Sequence, residues 1–162
     1  MLSVSEAIVN MALHCAGSLS DIEHFLKVWA YAKAIGEQEG LDSRSQQILE
    51  YTAIVHDIAC PDLKKQTGSA PWDLQEKYGP DLVREFYRDS GFDAEMLDRI
   101  CFIVGHHHTP NAVDGLDFQV LLEADFLVNV AENEKWRTMR EKYRETVFRT
   151  QTGLSLLDSF RI

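Results

Sequence analysis

Apolar residues in this chain recur three and four positions apart, segment after segment, and no stretch keeps the period-two alternation of a half-buried strand. That pattern restricts the chain to an all-α fold, a single-domain helical bundle over residues 1–162. The clearest runs are Phe25, Val28, Trp29, Ala32 and Ile35, then Ile48, Tyr51, Thr52 and Val55, then Met96, Leu97, Ile100, Ile103 and Val104. Cap and stop residues set the boundaries. Ser3 or Ser5 opens a helix reaching about Cys15, and Ser20 and Asp21 open one that ends at Gly40. Asp42 or Ser43 opens a third, reaching about Ile58, where Pro61 stops it. Residues 62–72 read as a polar loop. Residues 73–78 and 81–90 read as two helices broken at Gly79-Pro80, and Asp93 caps a helix ending on Gly105. Residues 109–117 form a turn-rich loop and 118–133 a strongly apolar helix. Residues 134–150 read as one charged, exposed helix, and 153–162 as an apolar tail packed back on the bundle.

Length and charge narrow the function. The 162 residues suffice for a real core, and 45% hydrophobic with 26% charged residues is ordinary for a soluble globular protein. A net charge of −10 argues against a nucleic-acid polymer or an anionic membrane as partner. It leaves room for a small anionic substrate, because a bound cation reverses the local sign. Cys15, Cys60 and Cys101 form no CxxC pair and fit buried thiols in a reducing cytoplasm. Residues 1–16 lack the basic start and apolar run of a signal peptide, and no stretch is apolar enough to span a bilayer. Oligomeric state leaves no mark on the sequence.

Chemistry concentrates where polar residues interrupt apolar helices. The run Tyr51–Ala59 carries His56 and Asp57 side by side, and burying that pair is costly without a partner. His24 lies one turn before Val28, the triplet His106-His107-His108 follows an apolar helix, and Asp125 interrupts another. His24, His56, Asp57 and Asp125 come from three helices whose inward faces can meet in a bundle core. Two imidazoles and two carboxylates suit a divalent transition metal, Mn, Fe, Co, Ni or Zn, better than Ca, with Mg admissible. Such an ion lowers the pKa of water and polarises a phosphoryl oxygen. His14 and Glu123 carry no signal of function.

The order His24, then His56-Asp57, then Asp125 resembles the H…HD…D signature of the HD-domain metal-dependent phosphohydrolases. The flanking segments 21–28, 54–59 and 122–127 agree, and the resemblance covers roughly residues 21–131. The helix and tail over 134–162 pack on that core. The resemblance implies an all-α fold, cleavage of phosphate esters or anhydrides, commonly of nucleotides, and His24, His56, Asp57 and Asp125 as metal ligands. Binuclear relatives add a histidine before a Glu and a Gly; here that stretch is Gln75-Glu76-Lys77-Tyr78-Gly79, and no histidine falls between His56 and His106. One ion per chain is therefore expected. The triplet before Thr109 looks like the HHE…DG region of the HD-GYP phosphodiesterases, but the glutamate and the GYP are missing, so cyclic dinucleotides do not carry over.

Five further residues are candidates for catalysis or phosphate binding. His106 or His107 would contact the phosphate or protonate the leaving oxygen. Lys64, with Lys65, would clamp phosphate, and Asp62 would orient a water or act as base. The expected function is hydrolysis of a small nucleotide or phosphorylated metabolite. Two rivals stand beside it. One is a non-catalytic sensor that binds nucleotide or metal. The other is a di-iron oxygenase on an HD-like fold, which needs two ions.

Overall fold

The computed structural model describes residues 1–161. The elements are α1 (Val4–His14), α2 (Leu19–Gln38), α3 (Ser43–Val55), α4 (Cys60–Thr67), α5 (Trp72–Phe86), α6 (Ala94–Val104), a 3-10 turn (Pro110–Ala112), α7 (Leu116–Glu132), α8 (Glu134–Thr138), α9 (Arg140–Thr146) and α10 (Gln151–Ser159). No strand occurs among the described residues, so the architecture is all-α, as the periodicity requires. Three of the expected caps form, while α2 starts at Leu19 behind Ser18, ahead of the expected Ser20 and Asp21, with no side-chain cap. Ser3 and Glu6 make a reciprocal capping box at α1, Asp42 accepts from the Arg44 and Ser45 amides at α3, and Asp93 accepts from the Met96 amide at α6.

α2, α3 and α7 form the centre, with α2 packed along both of the others and α6 backing α3. Phe25, Val28, Ala32 and Ile35 of α2 meet Leu49, Ile54 and Val55 of α3 in a core closed to water. Each large apolar side chain buried there contributes about 1.5–3 kcal/mol. Gly36 permits the close approach of α2 and α3, since a Cβ there would lie 2.9 Å from Leu49 Cδ2. α7 is buried on nearly all sides, from Phe118 through Val130, which takes its acidic residues inside with it.

The chain departs from the sequence pattern in three places. α3 stops at Val55 rather than Ile58; one tight turn follows, closed by Ile58 N donating to Val55 O and Cys60 N to Asp57 O, and α4 restarts at once. Pro61 sits in the first turn of α4, where its missing N–H has no partner to lose, so it starts a helix where the sequence suggested a stop and a loop. The loop expected over 62–72 shrinks to the few residues after Gly68, whose φ of 78° ends α4. α5 runs unbroken through Gly79-Pro80. There Gly79 and Gly105 let α5 lie tightly on α6, and that packing outweighs the proline.

The third departure is the helix expected over 134–150, which folds into α8 and α9. Trp136, Tyr143 and Phe148 collapse onto Phe126 of α7, with ring centroids 5.8, 4.5 and 5.6 Å away. A straight helix cannot present all three to one ring. The apolar tail forms α10, with Leu157 buried; Ile162 lies outside the described residues. Cys15, Cys60 and Cys101 are free and buried.

Candidate metal centre

The end of α3 builds the first half of the site. Because the helix stops at Val55, the Ala53 carbonyl is free to accept the Nδ1 proton of His56 at 2.9 Å. That fixes the tautomer and turns Nε2 inward. His24, on α2, donates from Nδ1 to Glu132 Oε2 at 3.0 Å, and its Nε2 also turns inward. Asp125, on α7, is held by Asn129 Nδ2 at 2.8 Å. His24 Nε2 lies 3.2 Å from His56 Nε2, 3.2 Å from Asp125 Oδ1 and 3.6 Å from Asp57 Oδ2. His56 Nε2 lies 3.6 Å from both Asp57 Oδ2 and Asp125 Oδ1.

Those spacings test whether a metal fits. Ligands bound at about 2.1 Å stand roughly 3.0 Å apart at octahedral angles and roughly 3.4 Å apart at tetrahedral ones. The two 3.2 Å pairs, His24 with His56 and His24 with Asp125, fall in that range, and the three 3.6 Å pairs lie just above it. The two Nε2 atoms face each other after both Nδ1 protons have been committed elsewhere, a contact that only a cation, proton or metal, reconciles. His24, His56 and Asp57 by themselves form a group able to hold an ion.

The electrostatics agree. Burial works to lower the His24 pKa, but the hydrogen bond and charge of Asp125, backed by Asp57 and Glu132, lift it to about 10. Burial pushes the Asp57 and Asp125 carboxyls up, and the surrounding imidazoles more than reverse this, holding both below the usual carboxylate range. A histidine that keeps its proton so firmly marks a cage that favours positive charge.

The three histidines after α6 part company. His106 donates from Nδ1 to Phe102 O at 2.7 Å and lies against the Phe102 ring, away from the cage. His107 is buried; its Nδ1 donates to Val104 O and its Nε2 sits 2.9 Å from Asp57 Oδ1, the oxygen that faces away from His24. Burial opposes a proton there, yet Asp57 raises the His107 pKa. His108 Nε2 lies 4.0 Å from Asp57 Oδ1, so Asp57, His107 and His108 form a second possible cation group. Gln75 acts against that. Its amide donates to Ala70 O, which aims Oε1 at His108 Nε2, 2.8 Å away, and so fixes that nitrogen as a donor. Burial, then the charge of His107, lowers the His108 pKa to about 4, leaving the ring neutral.

Lys64 lies on α4 with its ammonium on the Asp21 carboxylate. Asp62 lies in the first turn of α4 and faces a separate hollow with Tyr78 and Asp81. Neither belongs to the cage.

Residues 21–146 match the sequence model of the HD domain. The chain belongs to the HD domain family. No curated protein gives a significant match. Among solved structures, the HD domain is similar to a crystal structure described as a predicted HD superfamily hydrolase from an uncultured Thermotogales bacterium. The two are 22% identical, cover 95% of this chain and 82% of the other, and superpose with a TM-score of 0.71, a likeness of fold.

Beside its cage the HD domain has a cavity of about 250 Å³. Asp125, His107 and His108 form the polar end; Trp72, Trp136 and Tyr143 are among the walls. Two sets of residues escaped the sequence reading. Asn129 and Glu132, which orient Asp125 and His24, follow Asp125 at i+4 and i+7, a polar stripe on an otherwise buried helix that could have been noticed. Trp136 and Tyr143 carry no such signal, because their place depends on the fold-back of α8 and α9.

Proposed function

We propose that this HD domain hydrolyses phosphate esters or anhydrides of a small nucleotide or phosphorylated metabolite, with one divalent transition-metal ion held by His24, His56, Asp57 and Asp125. One observation carries the proposal: at the end of a 250 Å³ cavity, the His24 and His56 Nε2 atoms lie 3.2 Å from each other and each within 3.2–3.6 Å of an Asp57 and an Asp125 carboxylate oxygen. The predicted-hydrolase description of its structural neighbour points the same way. A bound ion would activate water and polarise a phosphoryl oxygen. Glu132 and Asn129 orient the cage, and His107 offers a proton at Nε2, on the cavity side of Asp57, to the leaving oxygen. Cavity size and a net charge of −10 favour a small free ligand over a nucleic-acid polymer.

The test is a screen of phosphate esters and nucleotides with Mn, Co or Ni, on the wild type and on His56→Ala and Asp57→Ala. Hydrolysis by the wild type, lost in both variants, supports the proposal. Ion binding by calorimetry with no turnover of any phosphate ester would replace it with the sensor reading. Two ions per chain would revive the oxygenase.

A further inference from the structure

We infer that the cavity beside the cage receives one flat aromatic ring carrying a single phosphate, and discriminates against polyphosphates. The inference rests on the phosphohydrolase reading for the chemistry, and on the cavity walls for its own content.

The walls are the first ground. Trp72, Phe126, Trp136 and Tyr143 surround the space between the cage and solvent. Trp72 lies nearly parallel to His108, with ring centroids 5.6 Å apart and planes 19° apart, and the residue is 57% exposed. Tyr143 stacks on Phe126 at 4.5 Å and 12°, and Trp136 packs edge-on against both. Aromatic faces so arranged favour a planar π system over a sugar or an alkyl chain of the same volume. A ring seated there places its ester near Asp125 and His107.

Size is the second ground. Small-molecule sites commonly enclose about 300–1,000 Å³. At about 250 Å³ this cavity falls below that range and matches a ligand with one ring system.

Charge is the third. No lysine or arginine lines the cavity among the described residues. The basic residues next to its walls point elsewhere. Arg137 donates to the Val130 and Ala131 carbonyls, Arg140 to Leu157 O and Glu141, and Arg144 to Asp158. Lys27 is held by Glu132, and Lys64 by Asp21. The two charges of a divalent ion are already matched by Asp57 and Asp125. One phosphate can be accommodated by the ion and His107. Each further phosphate adds an anion with no partner, an unfavourable burial.

The experiment measures binding and turnover separately. Tryptophan fluorescence quenching is followed as Mn-loaded protein is titrated with phenyl phosphate, ethyl phosphate, adenosine monophosphate and adenosine triphosphate. The ring monophosphates should bind at least tenfold tighter than ethyl phosphate and tighter than the triphosphate. Trp136→Ala and Tyr143→Leu should each weaken the ring compounds about tenfold more than they weaken ethyl phosphate. Pro110→Lys, at an exposed position on the cavity rim, should recover triphosphate binding. Equal binding of ring and alkyl esters, or preference for the triphosphate, overturns the inference even if phosphate esters are hydrolysed. Ring-selective binding without hydrolysis keeps the cavity assignment and removes the enzymatic reading.

Discussion

Glu123 and Asp125 stand two residues apart on α7, both withdrawn from water, and the protein treats them oppositely. Glu123 has a protein donor for each lone pair in use. The Arg149 and Thr150 amides, the Gln119 side chain and the Thr150 hydroxyl all donate to it, at 2.7 Å for Arg149 and 3.0 Å for the Thr150 amide. Asp125 receives one N–H from Asn129 and otherwise faces two imidazole nitrogens, one of them on His56, whose Nδ1 proton is committed to Ala53. An acid satisfied by amide and hydroxyl donors is structural: Glu123 ties α10 to α7. An acid that faces imidazole nitrogens whose other ring protons are committed elsewhere calls for a cation, a proton on His24 or a metal. Withdrawal from water, then, says little about role; the protonation of the partners says much.

That contrast can be broken experimentally, starting from the side with the largest effect. Asp125→Asn and Asp57→Ala should reduce phosphate-ester hydrolysis below detection and remove the bound ion, while the protein melts in chelator within a few degrees of the wild type. A large loss of stability in chelator would mean that these acids hold the fold, as Glu123 does. Glu123→Ala should do the reverse. It strands two amides and a hydroxyl in the interior and should lower stability by about 3 kcal/mol, or roughly 6–12 °C in Tm. Ion content per folded chain should stay constant; loss of the ion at normal stability would count against the distinction.

Smaller effects sharpen the comparison. Glu132→Gln keeps the shape but removes the charge behind His24, and calorimetry should show ion affinity reduced about 10–100-fold. Unchanged affinity would demote Glu132 to a partner of Lys27 alone. Thr150→Val removes the hydroxyl donor to Glu123 and with it the acceptor that caps the Gly153 amide, and should cost about 1–3 kcal/mol in urea melts, with ion affinity unchanged.

Much of the fold was legible because helices are written locally. Apolar spacing gave α1, α2, α3, α6 and α7 nearly to their ends, and the caps at Ser3, Asp42 and Asp93 are side chains answering their own backbone. The failures were at prolines and aromatics. Pro61 and Pro80 are breakers only where a lost N–H or a clash has no compensation; the first lies in a helix's opening turn and the second is held by packing on α6. The candidate ligands were legible as residue types, since histidine and aspartate beside apolar helices are conspicuous. Which of three adjacent histidines faces Asp57 was not, because α6 ends there and the turn alone sets their directions.

The sequence by itself determined that this chain is helical, acidic and equipped with imidazoles and carboxylates on apolar helices, because period, charge and side-chain chemistry belong to residues and near neighbours. Only the tertiary structure decided that Asp125 meets the histidines while Glu123 holds α10, and that Trp136 and Tyr143 wall a cavity. Each residue turns an α-helix by about 100°, so two acids two positions apart look out in nearly opposite directions. What each one meets depends on helices that lie far away along the chain.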